Sequence, residues 1–449
     1  MCGKQWFEQL KENSLTTYLL RTAGLSMAVR IASALLVFGM HVILARLLGV
    51  EAYSSYIYAL SWASLWILLA LFGSDFVLLK CLPTYEVEGQ WGAFRGLLHR
   101  SREGVILTSV LLIIGIVLII YGSRGEHLSP VAKALLMASL LIPVMGLTSL
   151  RMAALRALKR PVQAIIPDAI VRPLLLGVLV LLIYYWSGEQ LQGWQAMGLN
   201  VLAAFGAFLL GSLWLQRVLP QKAKSAVLHC KQRYWLGLAL PLFMTAILSA
   251  LLSKMDILVL GLMGETQSVG IYTVAARITD LALLAFMAVE SIVAPMIAEF
   301  YAKRDYDQLQ DLLRLSARNI FAFVLAVSLI LTFTGRWVLS WFGEEFILGY
   351  WSLLILLGAH LIHAFCGSVS FLLLMTKYQV QATVIFGVGA ALNLFLSVGL
   401  IPLYGLEGAA LATLLTTLFW NAAMVTYAYK RLGLNVTILR FRIVSCNSR

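Results

Sequence analysis

SALLSKMDILVLGLMGETQSVGIYTVAARITDLALLAFMAVESIVAPMIAEFYAKRDYD, residues 249–307, decides the fold class. Two apolar runs of bilayer-spanning length flank a short polar turn, Gly264–Gly270, yet their interiors hold Lys254, Asp256, Arg277, Asp280 and Glu290. An ionisable group near the bilayer centre costs about 2.5–3.5 kcal/mol, so the first four, unpaired, would cost roughly 10–14 kcal/mol. That rivals the whole stability of a domain. The charges must therefore pair or line a space that water reaches.

Asp256 lies eight residues before Gly264 and Arg277 seven after Gly270. At about 1.5 Å per residue both sit roughly 10–12 Å below the turn. Lys254/Asp256 is thus expected to face Arg277/Asp280 across a hairpin, with Arg277 and Asp280 sharing a helix face at i, i+3. Two readings stand: a structural salt-bridge cluster, or a water-filled cavity for a charged cargo or coupling ion.

Outward from this stretch, 61% of the 449 residues are hydrophobic and 12% charged, the composition of an all-α polytopic membrane protein. The first twenty residues carry Lys4, Glu8, Lys11 and Glu12 with no apolar core of a cleavable signal. Apolar runs predict twelve spans: 22–45, 54–79, 104–121, 131–150, 162–186, 194–216, 235–260, 270–298, 319–341, 350–374, 379–401 and 406–428. Most of the 34 Lys and Arg fall in alternate connections, among them Arg151–Arg160, Arg217–Arg233 and Lys303–Arg318. The positive-inside rule then puts both termini in the cytoplasm. The net charge of +13 is this topology signal, and no nucleic-acid partner is implied. The five cysteines have neither disulfide nor metal-ligand spacing, and no P-loop, catalytic dyad or zinc motif occurs. No cofactor is implied.

The chain reads as a duplication. A shift of 215 residues lays Gly49 on Gly264 and Asp75 on Glu290, and a shift of 218 lays Lys159-x-x-Val162-Gln163-Ala164 on Lys377-x-x-Val380-Gln381-Ala382. Two six-helix lobes follow, 1–216 and 234–431, joined by the basic linker 217–233 and followed by a cytoplasmic tail, 432–449. Six spans per half make the repeat parallel, with a pseudo-two-fold axis along the membrane normal and a substrate site between the lobes.

Further intramembrane polar groups accompany the cluster. Arg30 lies on span 1 and Asp75 near the end of span 2, while Asp168 and Arg172 pair at i, i+4 on span 5 between Pro167 and Pro173, which should bend that helix. His360, His363, Asn393 and Asn421 suit bridges between helices. Trp337, Trp341, Phe342 and Phe346 suit an interfacial anchor.

The chain resembles the polysaccharide (oligosaccharide-lipid) flippases of the multidrug/oligosaccharidyl-lipid/polysaccharide exporter superfamily. The likeness rests on Ile43-Leu-Ala-Arg-Leu-Leu-Gly49 before a Tyr-containing second span, Gly270-Ile-Tyr-x-x-Ala275-Ala276-Arg277 with Pro295, Trp341-Phe-Gly-Glu-Glu-Phe346, and Ile401-Pro-Leu-Tyr-Gly-Leu-Glu-Gly-Ala-Ala-Leu-Ala-Thr413. It implies a flippase, not an enzyme, in the bacterial cytoplasmic (inner) membrane, moving an undecaprenyl-diphosphate-linked glycan repeat unit by alternating access. The product would feed surface polysaccharide synthesis (O-antigen, capsule or exopolysaccharide). Implied partners are membrane lipid, a proton or sodium ion and polysaccharide polymerase machinery. The family's cavity-lining spans nominate Arg30, Lys254 and Arg277, and with them Arg172, for the diphosphate or acidic sugars. Asp75, Asp168, Asp256, Asp280 and Glu290 remain candidates for ion or proton coupling or for charge pairing. A cation- or proton-coupled multidrug antiporter of the same superfamily is the alternative. A membrane enzyme of glycan assembly is a remote one, resting on the D-x-D of Asp305-Tyr306-Asp307 in a short loop.

Overall fold

The computed structural model describes residues 2–123, 129–188, 190–376 and 378–438. Side chains are described in those segments except at 2–28, 30, 123, 285, 287–288, 291–292, 294–295, 298, 302 and 375. The elements are helical: α1 (Cys2–Leu71), α2 (Ser74–Val87), α3 (Trp91–Ser123), α4 (Pro130–Ser139), α5 (Leu141–Ala157) and α6 (Pro161–Ile166). A π-helical turn, Pro167–Val171, leads into α7 (Arg172–Ser187), then α8 (Gly193–Val218), α9 (Gln221–Ser225), α10 (Gln232–Leu262) and α11 (Thr266–Thr279). A 3-10 turn, Asp280–Leu283, precedes α12 (Leu284–Lys303) and α13 (Tyr306–Ser340), and another, Glu344–Gly349, precedes α14 (Tyr350–Cys366), α15 (Val369–Met375) and α16 (Gln379–Leu432). No strand occurs among the described residues.

Among those residues nine helical stretches are long and apolar enough to cross a membrane. Two exceed one crossing: Ile31–Leu71 has 41 residues and Gln379–Leu432 has 54, roughly 60 and 80 Å against a hydrocarbon core of about 30 Å. Each contains a glycine off the helical path, Gly49 at φ 73, ψ 171 and Gly405 at φ 55, ψ −124. A residue with no Cβ adopts such angles cheaply, so the chain turns there.

Two expected spans are broken. The run 54–79 stops at Phe72 (φ 44) and Gly73 (φ 73) before α2 begins. A Cβ on Gly73 would sit 2.6 Å from the Ala239 carbonyl oxygen, so α2 starts hard against α10. The run 270–298 stops where Thr279 Oγ1 donates back to the Ala276 carbonyl at 2.8 Å, and the 3-10 turn follows. The polar turn is also shorter than expected, Met263–Glu265, because α11 already begins at Thr266.

Positive φ recurs along the chain. Gly49 (73°) and Gly264 (85°) are 215 residues apart, as are Gly89 (69°) and Arg304 (57°), while Gly188 (66°) and Gly405 (55°) are 217 apart. Lys159 is also left-handed (φ 59), but its match Lys377 lies outside the described residues.

The chain divides into two compact units, Met1–Leu48 with Trp62–Ala246 and Gly49–Ser61 with Ile247–Arg449. Helices α1 and α10 therefore each contribute to both. The first unit is cored by Leu78, Leu82, Phe94, Leu97 and Leu155, with Trp235 Nε1 donating to the buried Tyr85 hydroxyl at 3.0 Å. The second is cored by Ile297, Leu309, Leu313, Leu372 and Leu373, and Leu434 and Val436 join them. The start of the expected tail is thus packed, with the Gln310 amide clasping the Asn435 backbone: Oε1 accepts from its N–H at 2.7 Å, and Nε2 donates to its carbonyl. Phe342 and Phe346 differ from the expected anchor as well, being buried while Trp337 and Trp341 are exposed.

Candidate functional site

In the second unit Asp256 is buried in α10. Its Oδ2 accepts from the Tyr272 hydroxyl at 2.8 Å and from Thr413 Oγ1 at 2.6 Å. Asn393 and Ser397, one turn apart on α16, approach the same carboxyl group. Yet Asp256 Oδ1, Asn393 Oδ1 and Ser397 Oγ are all buried without a hydrogen-bond partner among the described residues. Backbone turns explain the convergence. Asp256 and Tyr272 stand eight residues either side of Gly264, and Ser397 and Thr413 eight either side of Gly405, so each pair is brought to one depth, about 12 Å from its turn. A carboxylate with one free oxygen, beside an amide oxygen and a hydroxyl oxygen, is a set of groups that would accept a proton or an oxygen-seeking monovalent cation.

The expected pairing across the hairpin is therefore corrected for Asp256: it faces hydroxyls, because the chain turns at Gly264 and α11 starts at Thr266. Lys254, Arg277 and Asp280 do come together as electrostatic neighbours. Among the described residues no ion pair within 4 Å joins them. Arg277 hydrogen-bonds the hydroxyl of Tyr53, a fully buried residue whose ring packs edge-on to Phe346 at 5.7 Å. Its Nε is buried and unpartnered. Tyr53 is held by its own turn of α1: the neighbouring Ser54 Oγ donates to the Gln267 carbonyl and accepts from Gly270 N–H, both at 3.0 Å. Asp280, at the head of the 3-10 turn, is exposed, and Lys254 and Arg277 are half-buried. Two cations, one anion and unused donor capacity make a surface suited to an anion.

Other groups of this unit are placed differently. Glu290 lies half-buried in α12. His363 stacks on Phe286 at 4.3 Å with an interplanar angle of 6°, and its Nδ1 lies 3.1 Å from Asn421 Oδ1, which is the helix bridge that sequence suggests. Asp305 caps α13 by accepting from Gln308 N–H at 3.1 Å, so one acid of the D-x-D serves as a helix start.

In the first unit Arg172 is enclosed by partners. Nη1 meets Asp168 Oδ1 at 3.3 Å and Met145 Sδ at 3.2 Å, while Nε and Nη2 donate to Asn200 Oδ1 at 3.2 and 3.1 Å. The expected bend exists as the π-helical turn: Arg172 N–H bonds the Pro167 carbonyl, and Pro173 has no N–H to offer. Asp75 sits in the first turn of α2, where its carboxylate bonds backbone N–H groups and faces Arg156. Arg151, expected in a basic connection, is instead buried in α5, with Nη1 donating to the Ala207 carbonyl at 3.0 Å. The Arg30 side chain lies outside the described residues.

Nothing in the charge pattern singles out Tyr53, Tyr272, Asn393, Ser397 or Thr413 as one constellation. Counting residues outward from Gly264 and Gly405 would have matched three of them, Tyr272 to Asp256 and Ser397 to Thr413.

Residues 19–301 match the model of a family described as polysaccharide biosynthesis protein. Over 168 residues the chain is 30% identical to the probable low-salt glycan biosynthesis flippase Agl15 of Haloferax volcanii, covering 36% of this chain and 35% of that protein, so it spans about a third of the curated relative's length. Among solved structures, an inward-facing multidrug resistance MATE family transporter of the MOP superfamily is similar with a TM-score of 0.73 at 14% identity, over 91% of this chain and 98% of that one. The lipid II flippase MurJ in an inward closed conformation is similar with a TM-score of 0.70 at 15% identity, over 90% and 87%. A MOP superfamily transporter from Pyrococcus furiosus gives 0.62 at 15%, over 91% and 94%. At such identities the three speak for the fold.

Proposed function

The chain belongs to the polysaccharide biosynthesis protein family, and from that premise we propose that it is a flippase for a lipid-linked oligosaccharide. The cargo is a repeat unit on undecaprenyl diphosphate, carried from the inner to the outer leaflet of the bacterial cytoplasmic membrane by alternating access of two six-helix lobes, 1–216 and 234–431. Both termini face the cytoplasm.

The observation that carries this reading is the Lys254–Arg277–Asp280 group, charged, with Lys254 on a helix of spanning length and Arg277 and Asp280 at the break of the apolar run that follows, and not closed upon itself. Arg277 offers a planar donor fork for diphosphate oxygens and Lys254 a compact charge, while the Tyr53 hydroxyl fixes the guanidinium. Asp280 keeps the local charge low enough for the cargo to be released. The coupling ion enters at Asp256. A sodium ion there would be held by oxygens of Asp256, Asn393 and Ser397, its single charge balancing the one carboxylate; a proton would satisfy the carboxylate alone.

Reconstitution in liposomes with a fluorescent undecaprenyl-diphosphate glycan tests this. Leaflet exchange is expected with the wild type and is expected to collapse in Arg277→Ala with the fold intact. If several glycans stay put while a cationic drug is exported against a proton gradient, the protein is an antiporter and the carboxylates are its site.

A further inference from the structure

The first unit carries a groove of about 790 Å³ between α1, α3 and α10. Its wall is apolar, with Leu107, Val110 and Leu236 exposed along it, and Gly104 leaves open space on the same face. Its other end is polar, and there Arg100 Nη1 and Glu103 Oε2 lie 2.8 Å apart with both side chains about half exposed. From Leu97 to Val110 it follows α3 for roughly 20 Å, longer than one leaflet of a hydrocarbon core about 30 Å thick. The groove is open along its length, with room for a headgroup and the start of an acyl chain.

We propose that this groove seats one zwitterionic glycerophospholipid, phosphatidylethanolamine, with its phosphate on Arg100 and its ammonium on Glu103. Charge complementarity selects the occupant. A lone arginine would take any phosphate-bearing lipid, but Glu103 beside it repels a net anion and offers acceptors to an ammonium group. His99, 3.3 Å from Glu103, belongs to the same edge. Lys231 does not add an anion-seeking charge here, since Nζ donates to Gln90 Oε1 at 2.9 Å and stands 5.3 Å over the Tyr85 ring. Phe72 (φ 44) and Ser74 line the groove, so a seated chain would brace the joint between α1 and α2.

Native mass spectrometry of the protein from bilayers holding equal phosphatidylethanolamine and phosphatidylglycerol tests the proposal. The wild type is expected to retain one phosphatidylethanolamine at least fivefold over phosphatidylglycerol. Glu103→Gln should erase that preference, and Leu107→Trp, which fills the groove without touching the charges, should remove the adduct of either lipid. Equal retention of both lipids by the wild type overturns the proposal, as does a preference that survives both substitutions or an adduct that is the polyprenyl diphosphate lipid instead. Should a variant fail to fold, the wild-type ratio decides by itself.

Discussion

Arg172 and Arg277 face the same cost, a guanidinium within an apolar helical run, and the two units meet it in opposite ways. Around Arg172 the first unit spends an aspartate, an asparagine and a thioether on its nitrogens. Around Arg277 the second unit supplies one tyrosine hydroxyl and leaves Nε buried without a partner. A charge whose donors are all used is structure; a charge with capacity to spare is available to a ligand. Asp168 and Asp256 repeat the contrast, one salt-bridged and the other beside unpartnered oxygens.

The sharpest way to break the comparison is to truncate both arginines. Arg277→Ala is expected to lower leaflet exchange tenfold to a hundredfold, the equivalent of losing about 1.5–3 kcal/mol of charge-assisted hydrogen bonding to cargo, with little change in thermal unfolding. Arg172→Ala is expected to do the reverse, sparing exchange per folded molecule while costing roughly 1–3 kcal/mol of stability through the lost bonds to Asp168 and Asn200. Equal transport losses would erase the distinction. Next in size, Asp256→Asn should weaken the dependence of exchange on the driving cation about tenfold or more, read as a shift in the cation concentration for half-maximal flux, whereas Asp168→Asn should leave that concentration unchanged.

Smaller effects probe packing in each unit. Gly211→Ala would drive a methyl group into the Arg151 guanidinium, and Gly261→Ala one into the Tyr58 ring. Each is expected to cost about 1–3 kcal/mol, seen as a lower unfolding temperature in detergent, and the Tyr58 ring, being uncharged, should yield more readily. Smallest are the caps: Ser129→Ala on α4 and Asp305→Ala on α13 each remove one side-chain acceptor from a helix start, a loss of roughly 1 kcal/mol apiece. A transport defect in Asp305→Ala out of proportion to that loss would give the D-x-D a further role.

Apolar run length made the membrane class and most spans legible, because a bilayer sets a fixed length and a spanning helix must be apolar throughout. Where helices stop was less legible. Phe72–Gly73 and Thr279–Asp280 interrupt runs that are apolar on both sides, one where Gly73 lies close against Ala239 and the other where a threonine bonds back to its own turn. The site was half legible. Lys254, Arg277 and Asp280 announce themselves by their cost in lipid, and the structure does gather them. Tyr53, Thr413 and Ser397 cost little in a membrane helix, so hydropathy is blind to them. Arg151 was hidden for the opposite reason: basic residues crowd the nearby connection, and one more looked like another topology signal although its helix buries it.

The left-handed residues at 49 and 264, and at 89 and 304, bound two segments of identical length. Few letters agree between the two segments, but the sign of a torsion angle cannot drift gradually. Such residues are natural crossover points for chimeras: a segment cut at Gly49 and Gly89 and replaced by the one from Gly264 to Arg304 would enter and leave its host with the backbone heading the right way. In this chain the matching joints are easier to see in torsion angles than in letters.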